Sequence, residues 1–172
     1  MIYDPAEDSF LLLKYIKRYA NGKVLDLGTG SGVLAEEALK YTNDVLAADI
    51  DQDAVDFCNR KGIKAIRSDL FSDINGKFDL IIFNPPYLPD EECENPEIRR
   101  VVSGGKNGYE IIEKFLKNSR EFLNEKGKIL LLFSSLTMKS KIDDLIVQNS
   151  FKSRMLETKN LFFEKLYVYI IY

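Results

Sequence analysis

Phe10, Leu11, Leu13, Ile16 and Tyr19 recur at the three-to-four-residue interval of one helix face. Asp8 or Ser9 can cap that helix, which ends near Asn21-Gly22. Beyond the glycine the pattern changes to short, nearly all-apolar runs at Lys23 to Leu27, Asp44 to Ala48, Ile63 to Arg67 and Phe78 to Phe83, which read as strands. Ser31 to Tyr41 and Asp51 to Lys61 keep helical spacing between them. Strands alternating with helices predict a parallel sheet covered on both faces. The helical interval returns at Tyr109, Ile111, Ile112, Phe115 and Leu116, followed by a strand at Lys128 to Phe133 and a helix at Thr137 to Ser150. Phe151 to Glu157 and Glu164 to Ile171 read as two strands turned near Lys159-Asn160, a gap too short for a parallel crossover. The pattern therefore predicts an α/β chain with one domain over residues 1–172. Its sheet is seven-stranded and mostly parallel, with an antiparallel C-terminal hairpin and an N-terminal helix.

A chain of 172 residues can bury about two thirds of its unfolded surface. With 45% hydrophobic and 30% charged residues it has the balance of an ordered soluble protein. A net charge of −3 argues against a phosphate backbone as primary partner. Met1-Ile2-Tyr3-Asp4-Pro5 carries no basic leader pattern, and no apolar run approaches the roughly 18 residues of a membrane span. A cytoplasmic location is expected. Cys58 and Cys93 are isolated and the chain has no His, so neither a CxxC pair nor a His-based metal site is available. Both cysteines read as packing residues. Any catalysis must proceed without imidazole, and no metal is expected.

Asp26-Leu27-Gly28-Thr29-Gly30-Ser31-Gly32 falls where the first strand gives way to a helix, so bare backbone turns tightly toward a ligand. A GxGxxG dinucleotide loop requires Gly or Ala at position 33, which is Val33. The DxGxGxG spacing fits S-adenosylmethionine instead. On that reading Asp26 pairs with the ammonium of the methionyl moiety, and Asp49, ending the second strand, accepts from the ribose hydroxyls. Asp69 accepts from the adenine amino group, and Ile50 and Leu70 bracket the ring.

Asn84 to Gly105 is irregular and holds four of the five prolines, a length of loop that usually serves function. It opens with Asn84-Pro85-Pro86-Tyr87 directly after a buried-looking strand. The lone pair of an amide or exocyclic amino nitrogen is delocalised, so such a nitrogen attacks only as it pyramidalises. The Asn84 side-chain oxygen and the Pro85 carbonyl can accept its two N–H bonds and aim the lone pair, while Tyr87 stacks on the planar group. Asn84, Pro85 and Tyr87 are the candidate catalytic residues.

The residues at this point resemble the release-factor glutamine N5-methyltransferases of the archaeal and eukaryotic cytosolic type. Tyr3-Asp4-Pro5-Ala6-Glu7-Asp8-Ser9 followed by Phe10-Leu11-Leu12-Leu13 is similar to that family's N-terminal signature. Gly104-Gly105-Lys106-Asn107-Gly108 is similar to the segment after its active-site loop. The resemblance implies a Rossmann-like class I methyltransferase fold and methylation of the Gln side chain in the Gly-Gly-Gln loop of a class I release factor. It carries over Ser9, Asp26, Gly28, Asp49, Asp69, Leu70 and Asn84 for the cofactor, with Thr29, Gly30, Gly32 and Ile50 from the loop reading. It assigns Asn84, Pro85, Pro86, Tyr87 and Leu88 to the substrate, and Tyr3, Pro5, Glu7 and Asp8 to closure over the site. It also implies a heterodimer with a small zinc-binding activator that covers an apolar sheet edge, expected at Ile63, Ala65 and Ile66.

The same nitrogen chemistry suits an N6-adenine or other exocyclic-amine DNA or RNA methyltransferase, or a protein lysine methyltransferase. A nucleic-acid enzyme needs surface to hold and flip its base. The one basic patch in view is Arg99-Arg100 with Lys106 nearby, which also reads as a solvated loop face. A non-catalytic module on this fold would require a broken site, and every expected position is filled.

Overall fold

In the computed structural model, residues 7–90 and 102–172 are described. Tyr3 to Ala6, Cys93, Arg99 and Arg100 lie outside them. Helix α1, Glu7–Tyr19, has Glu7 and Asp8 in its first turn and Lys17 and Arg18 in its last, each sign opposing the helix dipole. Its buried face differs from the expected one: Leu11, Leu12 and Ile16 are buried, whereas Phe10 is 56% exposed. An unbroken apolar run from residue 10 to 13 offers two helical faces, and spacing alone does not choose between them.

The chain continues through β1 Val24–Leu27, α2 Val33–Ala38, β2 Val45–Asp49, α3 Gln52–Arg60, β3 Ala65–Arg67 and β4 Phe78–Phe83. These fall where the apolar pattern put them, with α2 and β3 shorter than predicted. Inside the irregular stretch lies a small parallel pair that the pattern does not predict, β5 Leu88–Pro89 with β6 Ser103–Gly105. Then follow α4 Glu110–Ser119, β7 Leu123–Ser134, α5 Lys139–Gln148, β8 Ser153–Asn160 and β9 Lys165–Ile171.

The sheet order is β3-β2-β1-β4-β7-β9-β8. The five strands from β3 to β7 pair in parallel, and β9 inserts antiparallel between β7 and β8. Two details depart from the sequence reading. Strand β7 starts five residues earlier than Lys128, because Leu123 pairs with Phe78 around an irregularity at which Asn124 donates to Asp79 at 2.7 Å. The hairpin turn lies past Lys159-Asn160: both residues still pair in β8, and Leu161 N–H closes the turn on the Glu164 carbonyl at 2.8 Å.

Alternate strand residues feed two cores. Leu80, Ile82, Leu130 and Leu132 pack toward α1, α2 and α3, whereas Ile81, Phe83, Ile129 and Leu131 pack with Phe115 of α4 and Ile142 of α5. This coverage of both faces is why the central strands carry apolar residues on both sides, interrupted only by Asp26 in β1, Asp49 at the end of β2 and Asp79 in β4 among their β1, β2 and β4 positions. At the β3 edge the expected open apolar strip is largely covered: Ile63 and Ala65 are buried. The Asn59 side chain also engages both the N–H and the carbonyl of Ala65, at 3.0 and 3.1 Å, as a neighbouring strand would. Among the described residues no helix is long and apolar enough to cross a membrane.

Candidate active site

Strands β1 to β4 end side by side, and the chain order reverses between β1 and β4. A crevice opens above the sheet at such a switch point. The cleft there measures about 1120 Å³ and is walled by the loops after all four strands.

The loop after β1 is held open by left-handed backbone at Gly28, Gly30 and Gly32, with φ of 69°, 52° and 78°. The N–H groups of Gly28 and Thr29 both donate to the Ala48 carbonyl, at 2.8 and 3.0 Å, and Gly30 N–H donates to the Asp49 carboxylate at 2.9 Å. Strand β2 therefore fixes the loop's height above the sheet. Gly28, Thr29 and Gly30 line the cleft. Gly32 lies behind them, where a Cβ would sit 2.8 Å from Cys58 Sγ and 2.9 Å from Ile63 Cδ1. Its glycine serves packing of the loop on α3.

Asp26 is likewise behind the cleft wall and only 1% exposed. One carboxylate oxygen accepts from Thr29 Oγ1 at 2.6 Å and Ala35 N–H at 3.1 Å, tying the loop to the start of α2. The other, Oδ1, is buried without a hydrogen-bond partner. Burial pushes the carboxyl up from its ordinary 3.8 to about 6, against the lowering effect of those two hydrogen bonds.

Asp49 accepts from Gly30 N–H and from Asp51 N–H, one on each oxygen at 2.9 Å, which orients the carboxylate and leaves lone pairs for hydroxyl donors. Ile50, 59% exposed, lines the cleft beside it. Across the cleft Leu70 is held at φ 48°, its carbonyl accepting from Ser68 Oγ at 2.7 Å, while Asp69 N–H donates to Ser72 Oγ at 3.1 Å. Ser68 and Ser72 thus shape the turn that presents Asp69 and Leu70. Neither stood out in the sequence, where a serine beside a strand end carries no distinguishing pattern.

The group fits S-adenosylmethionine. The cleft offers glycine backbone, an oriented carboxylate at Asp49, and the apolar side chains of Ile50 and Leu70. An unsatisfied buried carboxylate oxygen beneath the loop suits a cation. A buried acceptor without a partner costs roughly 1–3 kcal/mol until one arrives.

Asn84 follows β4 directly at the cleft, with Pro85, Pro86, Tyr87 and Leu88 continuing along its wall. Asn84 Nδ2 donates to Asp8 Oδ2 at 3.0 Å. A carboxylate only accepts, so this bond fixes which end of the amide is which. Asn84 Oδ1 is the second buried oxygen without a partner among the described residues. Asp8 and Ser9, both buried at the start of α1, line the cleft as well.

The turn rests on a glycine floor. A Cβ on Gly104 would lie 2.1 Å from the Gly108 carbonyl oxygen and 2.8 Å from that of Pro86. One on Gly108, at φ 84°, would lie 2.5 Å from the Tyr87 carbonyl oxygen. Asn107, between them, is held by Glu110 at the start of α4, with Nδ2 donating at 2.6 Å. Gly108→Ala is expected to push the Asn-Pro-Pro-Tyr turn outward and lower turnover roughly 10- to 100-fold, since sub-ångström to 1 Å misplacement costs that much. Cofactor affinity by calorimetry should not change. Normal turnover in the variant would separate this loop from the positioning of Asn84.

Among the described cofactor and substrate candidates, Asp26 and Gly32 fall off the cleft wall, as does Glu7 of the closure set, while Tyr3 and Pro5 lie outside the described residues. The structure adds Glu164, Lys114 and Phe83 to the lining. Phe83, stacked on Phe115 with centroids 4.2 Å apart, makes its floor.

Residues 4–163 match the family described as the methyltransferase small domain. A relative in Methanocaldococcus jannaschii that carries the name of a protein N5-glutamine methyltransferase is 35% identical over 97% of this chain and 89% of its own length. Methyltransferase HEMK2 of Mus musculus is 31% identical over 76% of this chain and 71% of its own. Among solved structures, the E. cuniculi Mtq2-Trm112 complex, described as responsible for methylating the eRF1 translation termination factor, superposes with a TM-score of 0.82. It has 27% identity over 99% of this chain and 97% of that one.

Proposed function

Since this chain belongs to the methyltransferase small domain family, and within it to the protein N5-glutamine methyltransferases, we propose that it methylates the side-chain amide of the glutamine in the Gly-Gly-Gln loop of a class I translation termination factor. The methyl donor is S-adenosylmethionine, which when bound supplies a methyl group made electrophilic by its sulfonium sulfur. No metal takes part, and the reaction is placed in the cytoplasm, where termination factors act.

The observation that carries this reading is Asn84 Oδ1, a buried acceptor without a partner, on an amide whose other end is already committed to Asp8. A glutamine amide brings two N–H donors. Asn84 Oδ1 takes one and the Pro85 carbonyl the other, which turns the nitrogen's emerging lone pair toward the methyl group. Tyr87 stacks on the amide plane, Pro85 and Pro86 stiffen the turn, and Leu88 extends the contact along the acceptor loop. Methylation would make the amide nitrogen acidic, so that it could lose a proton to water while held by Asn84 and Pro85, without a strong base. On the donor side Gly28, Thr29, Gly30 and Ser9 receive the methionyl end above Asp26, Asp49 takes the ribose, and Ile50, Asp69 and Leu70 take the adenine.

A small zinc-binding partner, as the resemblance implies, is placed at the β3 edge. The Mtq2-Trm112 complex supports a partner subunit. Since the outward backbone groups of Ala65 are already paired by Asn59 and those of Ile66 face β2, Arg67 is the part of the β3 edge left for it.

Labelled methyl transfer tests the reading. The expected acceptor is a termination factor with its Gly-Gly-Gln glutamine intact, with no label on a Gln→Ala factor or on duplex DNA, and higher activity when the chain is coexpressed with its partner. Label on the Gln→Ala factor, or on DNA alone, would overturn it.

A further inference from the structure

The turn between β8 and β9 places two large apolar side chains in water: Phe162 is 93% exposed and Phe163 87%. Their rings meet edge to face with centroids 4.7 Å apart, so they form one apolar knob. The turn carrying them is anchored. Leu161 N–H closes on the Glu164 carbonyl at 2.8 Å, and the Glu164 carboxylate accepts from the hydroxyl of Ser134, which is wholly buried at the end of β7. Glu164 also lines the cleft that Asn84 lines. The knob therefore stands on the rim of the catalytic cleft on a fixed support.

We propose that Phe162 and Phe163 dock the folded protein acceptor, binding an apolar patch that flanks the side chain entering the cleft. The inference rests on the proposed function, since it takes the acceptor to be a protein. Two phenyl rings bury on the order of 150–250 Å² each, far below the roughly 1,200 Å² of total surface that a stable complex needs. They cannot hold a second copy of this chain alone. They can add to an interface that the cleft itself begins, and the macromolecule that enters the cleft is the methyl acceptor. Exposed aromatic side chains are enriched at such contacts.

The experiment uses the full chain, with its partner, and the variants Phe162→Ser, Phe163→Ser and the double. Acceptors are the folded termination factor and a short peptide containing Gly-Gly-Gln. The double variant is expected to raise KM for the folded factor about 10-fold or more, with kcat at saturation and peptide methylation unchanged. An unchanged KM for the factor overturns the proposal, as does equal loss on factor and peptide, which would mean a distorted cleft. Binding to anionic or neutral lipid vesicles, or to DNA, that disappears with the phenyl rings while factor kinetics stay normal also overturns it. Where wild type methylates neither acceptor, the functional reading fails, and direct titration with the factor still decides the docking: binding lost in the double variant supports it, and binding absent or unaffected refutes it.

Discussion

Asn84→Ala should lower kcat about 10²- to 10³-fold, the usual loss when one positioned hydrogen-bond partner is removed from a reacting group, with cofactor affinity nearly intact. The separation follows from the geometry. Asn84 follows β4 with its Nδ2 donated to Asp8; the glycine loop and Asp49, which receive the cofactor in the proposed reading, are held by the β1 and β2 ends. Truncation to alanine removes the acceptor that selects a planar amide and leaves those supports untouched. It also leaves Asp8 Oδ2 without its amide donor, so a modest loss of stability accompanies the loss of rate. The measurement is single-turnover methyl transfer beside calorimetric titration of the cofactor. Turnover within a few-fold of wild type would remove Asn84 from the chemistry, and loss of cofactor binding equal to the loss of rate would make it a cofactor ligand alone.

Asp26→Asn should weaken cofactor binding at pH 7.5 by roughly 10- to 100-fold, in line with losing a charge-assisted contact of a few kcal/mol, while making the cofactor-free protein more stable. In the free protein burial raises the Asp26 carboxyl to about 6 from 3.8. The folded state thus holds this proton more tightly than the unfolded chain. The group's favourable contribution is complete below about pH 4 and is lost as pH rises to about 6, a loss on the order of 3 kcal/mol across two units. Asparagine has no such titration. The variant should match wild type in melting temperature near pH 4 and exceed it at pH 7.5. A cation placed against Oδ1 favours the ionised form, so wild-type cofactor affinity should rise between pH 5 and pH 7 and that of Asp26→Asn should stay flat. Equal affinities at pH 7.5 would confine Asp26 to tying Thr29 and Ala35 together.

The candidate site was legible where its residues lie next to one another in the chain or at the end of a patterned strand. Asn84-Pro85-Pro86-Tyr87 and the loop from Gly28 to Gly32 are contiguous, and Asp49 and Asp69 each sit where an apolar run stops. What spacing misses is contact across the chain. Asp8 matched a terminal signature and a helix cap, neither of which points to Asn84, and its bond to Asn84 spans 76 positions. Gly104 and Gly108 matched a signature too, yet their use as a floor under Pro86 and Tyr87 appears only when two loops meet. Glu164 had no pattern at all, because its place in the cleft follows from where the hairpin turns.

Periodicity settled the α/β alternation, the parallel strands and the antiparallel ending, since strand and helix repeats are local properties of side-chain order. The glycine and Asn-Pro-Pro-Tyr segments marked the chemistry because their backbone demands are local as well. Which face of α1 is buried, where β7 begins, that β9 inserts beside β7, and that Asp26 lies behind the loop with one oxygen unpaired were decided by packing. Each depends on which distant surfaces compete for the same space and on how far water is excluded there, and neither quantity is carried by any single stretch of sequence.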